Sequence, residues 1–129
     1  THGVGYDFIN KLRADPERLE ILGDGQQSKS YVSVGDVIRA IFVTLDKCDS
    51  PFSVYNVATN DYLTVREIAD MTCRVLRVNP EYVFTGGRGG WAGDIPVVRL
   101  DTSAIRELGW KPGYTSKMAM WLALEAMAK

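Results

Sequence analysis

Residues 23–36 read GDGQQSKSYVSVGD, a stretch that joins a glycine turn, an extended run and a helix start. The paired glycines predict a turn between two short strands, at residues 19–22 and 29–34. Ser33 and Asp36 have the spacing of a capping box, with the Asp36 charge favoured by the dipole of the helix that follows. Strands around a turn, leading directly into a helix, are typical of a mixed α/β fold.

Apolar periodicity predicts the remaining elements. We expect helices over residues 4–12, 34–48, 64–78, 101–108 and 116–128, and strands over 52–57 and 82–85. Since the apolar stripe of the second helix extends round most of its circumference, we expect this helix to be covered on two sides. The predicted fold class is therefore mixed α/β, with short strands and about five helices in a single domain over residues 1–129.

Composition excludes several classes of function. With 15 Lys and Arg against 16 Asp and Glu, the formal net charge of −1 argues against nucleic-acid or anionic-membrane binding. No apolar run approaches the ~20 residues of a membrane span, and no secretory signal is visible. Cys48 and Cys73 lack CxxC spacing and there is one histidine, so we expect no zinc site but buried thiols in a reducing cytoplasm.

Motifs for cofactor binding and catalysis are missing from the sequence. It contains no GxGxxG dinucleotide fingerprint, P-loop, GxSxG elbow or HExxH helix. No tyrosine is followed by a lysine four residues later, an arrangement common in hydride-transfer enzymes; the nearest pair is Tyr62 with Arg66. We therefore assign no catalytic, cofactor-binding or metal-binding residue within this chain.

Three segments nevertheless resemble a known family when taken in order. Residues 23–36 look like the pattern G-D-G-x-Q-x-R-D-Y-x-x-V-x-D, and residues 54–59 and 63–69 look like a strand, an Asn-x-Gly loop and a helix. Residues 93–94, 101–103 and 108–112 are similar to R-x-G-D, D-x-S-K and L-G-W-x-P elements. This order resembles the C-terminal, substrate-binding part of the NAD-dependent epimerase/dehydratase family, the extended short-chain dehydrogenases typified by UDP-glucose 4-epimerase.

Departures from the family pattern affect the expected diphosphate site. Lys29 and Trp91 stand where the family has arginines, while Ser30 replaces an aspartate and Ala58 a glycine. Lysine keeps the charge but loses the bidentate fork of arginine. The resemblance implies that Lys29 and the neighbouring cation Arg88 hold the diphosphate and that Trp91 touches the sugar; by itself, each is equally typical of a surface or packing residue.

The resemblance also implies contacts to the nucleoside. The backbone of Glu20 and Leu22 would hold a uracil-like base, Asp94 a ribose hydroxyl, and the Tyr31 hydroxyl would face the ligand. Free N–H groups at the helix start near Val4 suit a phosphate. The alternatives remain open. Residues 19–22 would then be a plain edge strand, Asp94 would brace the glycine loop, and Tyr31 would pack in the core.

The implied activity belongs to a longer enzyme. In such an enzyme, NAD takes hydride from the sugar C4, the 4-keto intermediate rotates, and hydride returns to the opposite face. NAD and the catalytic Tyr and Lys belong to an N-terminal half that this chain does not include, so we expect this chain alone to be inactive and to bind no NAD. We further expect a cytoplasmic homodimeric enzyme and self-association of the isolated chain. The alternatives are a 4,6-dehydratase or reductase, and a non-enzymatic anion-binding module.

Overall fold

The computed structural model describes residues 3–87 and 98–129. Within these ranges the chain forms five helices and two two-stranded sheets, which confirms the predicted mixed α/β class. The helices are α1 (Val4–Ala14), α2 (Val34–Lys47), α3 (Val65–Leu76), α4 (Ser103–Glu107) and α5 (Ser116–Ala128). The strands are β1 (Arg18–Ile21), β2 (Ser28–Lys29), β3 (Leu63–Thr64) and β4 (Glu81–Phe84).

The main core lies between α1, α3, α5 and the parallel β1–β4 pair. Strand β1 alternates exposed and buried residues, so that Leu19 and Ile21 are fully buried while Arg18 and Glu20 face solvent. These two residues pack with the apolar faces of the helices; the buried helical members are Phe8, Ile9, Leu12, Ile68, Ala69, Met71, Cys73, Met120 and Leu124. Strands β2 and β3 form a separate antiparallel pair in the register Lys29 with Leu63.

Local capping signals explain the helix ends that the sequence predicts well. The Glu67 carboxylate accepts a hydrogen bond from the Thr64 backbone N–H (2.8 Å), and the Thr64 hydroxyl accepts one from the Glu67 N–H (3.1 Å). This reciprocal capping box fixes the start of α3. Thr115 caps α5 by accepting from the Met118 N–H, and α5 spans the predicted residues 116–128.

Asp36 departs from its predicted role in a capping box. The Ser33 hydroxyl accepts from the Asp36 N–H (3.1 Å), which is one half of the box. The Asp36 carboxylate also accepts from the backbone N–H groups of Gly113 (2.9 Å) and Tyr114 (3.2 Å), far from its own helix in the sequence. Because the buried Trp110 indole also donates to the Asp36 carbonyl (3.0 Å), this residue joins α2 to the turn before α5.

Two expectations for the middle of the chain are wrong. Residues 52–57 form no strand, and Phe52 and Val54 are 81% and 77% exposed; β-rich residues become a strand only against a partner, and no described segment pairs with them. Helix α2 is not covered on two sides, since only Asp36 and Ala40 are buried. Its exposed apolar side chains are Val34, Ile38, Ile41, Phe42 and Leu45.

Candidate functional site

The backbone of β1 and of Leu22, the residue that follows it, offers two N–H groups at an edge away from β4. The carbonyls of Glu17 and Ile21 accept hydrogen bonds from the β4 side, so the alternate residues Glu20 and Leu22 direct their backbone groups the other way. Among the described residues β1 pairs with β4 alone. The two residues assigned to the base thus present their amides together at one edge, which can read the acceptors of a planar ring.

The two carbonyls at the same edge have partners that the sequence analysis missed. The Lys11 ammonium donates to the Glu20 carbonyl (3.3 Å) and also pairs with the Asp7 carboxylate (3.0 Å). The Gln27 side-chain amide donates to the Leu22 carbonyl (2.9 Å). Gln27 is itself buried, and its Oε1 has no hydrogen-bond partner among the described residues. An unused buried acceptor therefore lies beside the predicted base site.

The glycine turn holds this edge in place by close backbone packing. Gly25 has φ 76°, and a Cβ at this position would lie 2.8 Å from a ring carbon of Phe84, so only glycine fits. The Gly25 carbonyl accepts from the Arg66 N–H (3.0 Å), and the Gly23 N–H donates to the Thr85 hydroxyl (2.8 Å). The turn is thereby fixed to both α3 and the end of β4.

Lys29 and Tyr31 lie on the segment that follows the turn. Lys29 is half-buried at the end of β2, where its pairing with Leu63 is the last in the ladder. The predicted strand continues to residue 34, whereas the ladder stops here because the buried Ser116 hydroxyl accepts the Tyr31 N–H (2.9 Å). The half-buried Tyr31 packs against the main core.

Of the other candidate residues, only Val4 lies within the described ranges. Val4 is half-buried at the start of α1, where Gly3 provides no side-chain cap, so no capping oxygen competes for the first-turn N–H groups. Arg88, Trp91 and Asp94 lie outside the described residues. The described candidates thus fall on α1, on β1 and the residue after it, and on β2 and the segment after it.

The two cysteine thiols have different environments, and one of them corrects the sequence prediction. Cys73 is buried, and burial raises the pKa of its thiol. Cys48 is only half-buried; hydrogen bonds from the hydroxyls of Ser53 (3.2 Å) and Tyr55 (3.3 Å) lower the pKa of its thiol.

Two surface features lie apart from the candidate residues. An apolar groove of about 230 Å³ runs between α2 and residues 55–57, beside the exposed α2 side chains. A groove of about 450 Å³ between the ends of α3 and α5 carries Arg74, Arg77 and Lys129. Within residues 3–87 and 98–129, no three His, Cys, Asp or Glu side chains cluster as metal ligands, and no helix has the length and apolarity to cross a membrane.

Comparison with known proteins relates the chain to nucleotide-sugar enzymes. No protein-family model matches it. It is 29% identical over 110 residues to a Methanocaldococcus jannaschii protein assigned as a UDP-glucose 4-epimerase, with 85% of this chain and 34% of that protein covered. Other relatives include the dTDP-D-glucose 4,6-dehydratase of Mus musculus.

Solved structures give the same relationship. A UDP-galactose 4-epimerase superposes with a TM-score of 0.83 and 35% identity, covering 98% of this chain and 40% of that one. The UDP-glucose 4-epimerase of Thermotoga maritima, solved with UDP-glucose, gives a TM-score of 0.77 and 28% identity, with 95% and 38% covered. The Thermus thermophilus UDP-glucose 4-epimerase was solved with NAD. The chain spans about a third of the length of the first curated relative and about two fifths of these solved chains.

Proposed function

We propose that this chain, a homologue of the UDP-glucose 4-epimerases and related NAD-dependent epimerases and dehydratases, is the nucleotide-sugar-binding part of an enzyme that epimerises a UDP-sugar at C4. The main support is the similarity over nearly the whole chain to solved C4-epimerases, one of them with UDP-glucose. Because relatives with other chemistry share the same region, a 4,6-dehydratase or a reductase is the second candidate.

The proposed ligand lies across the glycine turn. The edge amides of Glu20 and Leu22 bind the base, and Lys29 with Arg88 neutralises the diphosphate. Tyr31 and Trp91 line the path towards the sugar, while Asp94 accepts from the ribose. The Lys29 ammonium acts as a point charge, so its contact with the diphosphate depends on the distance between the two groups and not on a bidentate geometry.

The residues of this chain do not fit a dinucleotide site. The sequence has no glycine fingerprint at a strand-to-helix turn, and no tyrosine with a lysine four residues later. We therefore place NAD, and all hydride chemistry, in residues outside this chain. The contribution of this chain is binding energy at the nucleotide, which holds the sugar in place for a reaction some distance away.

Calorimetric titration of UDP into the intact protein tests the diphosphate assignment. Lys29→Ala and Arg88→Ala should each weaken binding by about ten-fold or more, because a charge-assisted contact to phosphate contributes about 1.5–3 kcal/mol. Lys29→Arg, which preserves the charge, should bind UDP at least as well as the parent. Lys117→Ala, an exposed lysine on α5, is the matched control and should not change the affinity. Unchanged binding in both alanine variants would show that the diphosphate lies elsewhere.

A further inference from the structure

The Ser116 hydroxyl joins three segments that are far apart in the sequence. Ser116 is fully buried at the first position of α5. Its Oγ accepts from the Tyr31 N–H (2.9 Å), lies 2.6 Å from the Thr59 hydroxyl, and lies 3.1 Å from the Asp61 carbonyl oxygen. The Ser116 N–H in turn donates to the Asp61 carboxylate at 2.9 and 3.1 Å.

Two hydroxyl protons serve the three oxygen–oxygen contacts of this cluster, so two of the three are hydrogen bonds in any one arrangement. The Thr59 hydroxyl also lies 3.2 Å from the Asp61 carbonyl oxygen. Each of the two hydroxyl protons therefore has two possible acceptors, which are the Asp61 carbonyl and the oxygen of the other hydroxyl. Either Ser116 donates to Asp61 and Thr59 to Ser116, or Thr59 donates to Asp61 and Ser116 to Thr59. In both arrangements the Ser116 oxygen keeps a lone pair for the Tyr31 N–H. In both arrangements the hydroxyls of Ser116 and Thr59 and the Tyr31 N–H have partners, so the cluster ties the three segments together.

This network fixes the backbone where strand pairing ends. Lys29 is the last β2 residue paired with β3, and Tyr31, two residues later, is held by the Ser116 hydroxyl instead of a strand. We propose that Ser116, oriented by Thr59 and Asp61, is a positioning residue that sets Lys29 at the diphosphate and Tyr31 on the path towards the sugar of the bound nucleotide sugar. This inference rests on the proposed function, since it requires those two residues to contact the ligand.

Steady-state kinetics with UDP-glucose on the intact enzyme test the inference. Ser116→Ala should raise KM roughly ten-fold with a smaller change in kcat, because a displaced binding group weakens ligand binding. Ser116→Cys, which retains the shape of the side chain with a weaker acceptor, should raise KM less than Ser116→Ala does. Ser116→Thr, which retains the hydroxyl, should keep the parental KM. The matched control is Thr115→Ala, which removes the cap of the same helix without touching Tyr31. It should lower the melting temperature and leave KM unchanged.

The outcomes separate this inference from the proposed function. A parental KM in Ser116→Ala and Ser116→Cys, or an equal rise in Thr115→Ala, would overturn it in favour of a purely structural serine. If Ser116→Ala does not fold, the Ser116→Cys measurement decides the question in the same way. Lys29→Ala is measured in parallel. If Lys29→Ala weakens ligand binding and Ser116→Ala does not, the positioning role of Ser116 is refuted but the ligand site stands. If both variants bind the ligand like the parent, the proposed diphosphate site itself is refuted.

Discussion

Replacing the buried Asp36 by asparagine should destabilise the chain much more than replacing an exposed aspartate. The Asp36 oxygens accept from the Gly113 and Tyr114 N–H groups, and one of them pairs with the Arg39 guanidinium at 2.8 Å. Asparagine retains a single side-chain oxygen, so one N–H would face an amide NH₂ group. That unsatisfied donor costs about 1–3 kcal/mol. The lost attraction to Arg39, half of which is exposed, adds up to about 1 kcal/mol.

The loss of stability in Asp36→Asn should depend on pH with a defined sign. Burial by itself would raise the pKa of Asp36, but hydrogen bonds from Gly113, Tyr114 and Ser33 and the charge of Arg39 lower it below the usual range. A carboxyl whose pKa is lowered by folding stabilises the folded state above its ordinary pKa of about 4. This contribution is lost as the pH falls through the folded-state pKa, so the gap between parent and Asp36→Asn should narrow in acid.

Urea unfolding of the chain, followed by tryptophan fluorescence at pH 7 and below pH 4, measures both effects. The buried Trp110, whose indole donates to the Asp36 carbonyl, reports on the same contact. Asp7→Asn is the control, because Asp7 forms an exposed pair with Lys11 and should cost less than about 1 kcal/mol. Equal unfolding free energies for the two variants at pH 7 would refute the reasoning.

Three further predictions follow from the structure. Thr64→Ala should destabilise α3 by about 1 kcal/mol in the same urea assay, through loss of its capping box; no change would mean that packing alone sets the helix start. Iodoacetamide should alkylate Cys48 in the folded chain well before Cys73, as read by peptide mass spectrometry, since Cys48 is more exposed and its thiol pKa is lowered; equal rates would contradict this. The isolated chain should self-associate in sedimentation with increasing concentration and Phe42→Ser should weaken this, because the α2 face is exposed; a concentration-independent monomer would count against it.

The sequence predicts those elements that local signals determine. The capping box of Thr64 with Glu67 and one-sided periodicity locate α3 closely, and α5 spans the predicted residues 116–128. The predicted strand at residues 52–57 fails because strand formation depends on a partner, which periodicity cannot reveal. The strand after the glycine turn is shorter than predicted, because the Tyr31 N–H bonds to a side chain 85 residues away.

The candidate site is predictable only where a motif marks it. The resemblance implies roles for Glu20, Leu22 and Lys29, and the alternation of the parallel ladder explains why the backbone groups of the first two face the same edge. Gln27 stands at the glutamine of the G-D-G-x-Q pattern, but nothing local in the sequence indicates its contact, and nothing local indicates Lys11 or Ser116. Their polar atoms approach the site through the packing of α1, the turn and α5, so only the three-dimensional structure identifies them.

The most direct test of the central claim is the product that the intact protein forms from UDP-glucose in the presence of NAD. Nuclear magnetic resonance of the sugar-nucleotide pool distinguishes the configuration at C4 from changes at C6. We expect interconversion of UDP-glucose and UDP-galactose, lost when Lys29→Ala is assayed at a low substrate concentration and recovered at a high one. A 4-keto-6-deoxy product would contradict epimerisation in favour of a dehydratase, and an intact protein that binds neither UDP nor NAD would contradict the enzyme assignment altogether.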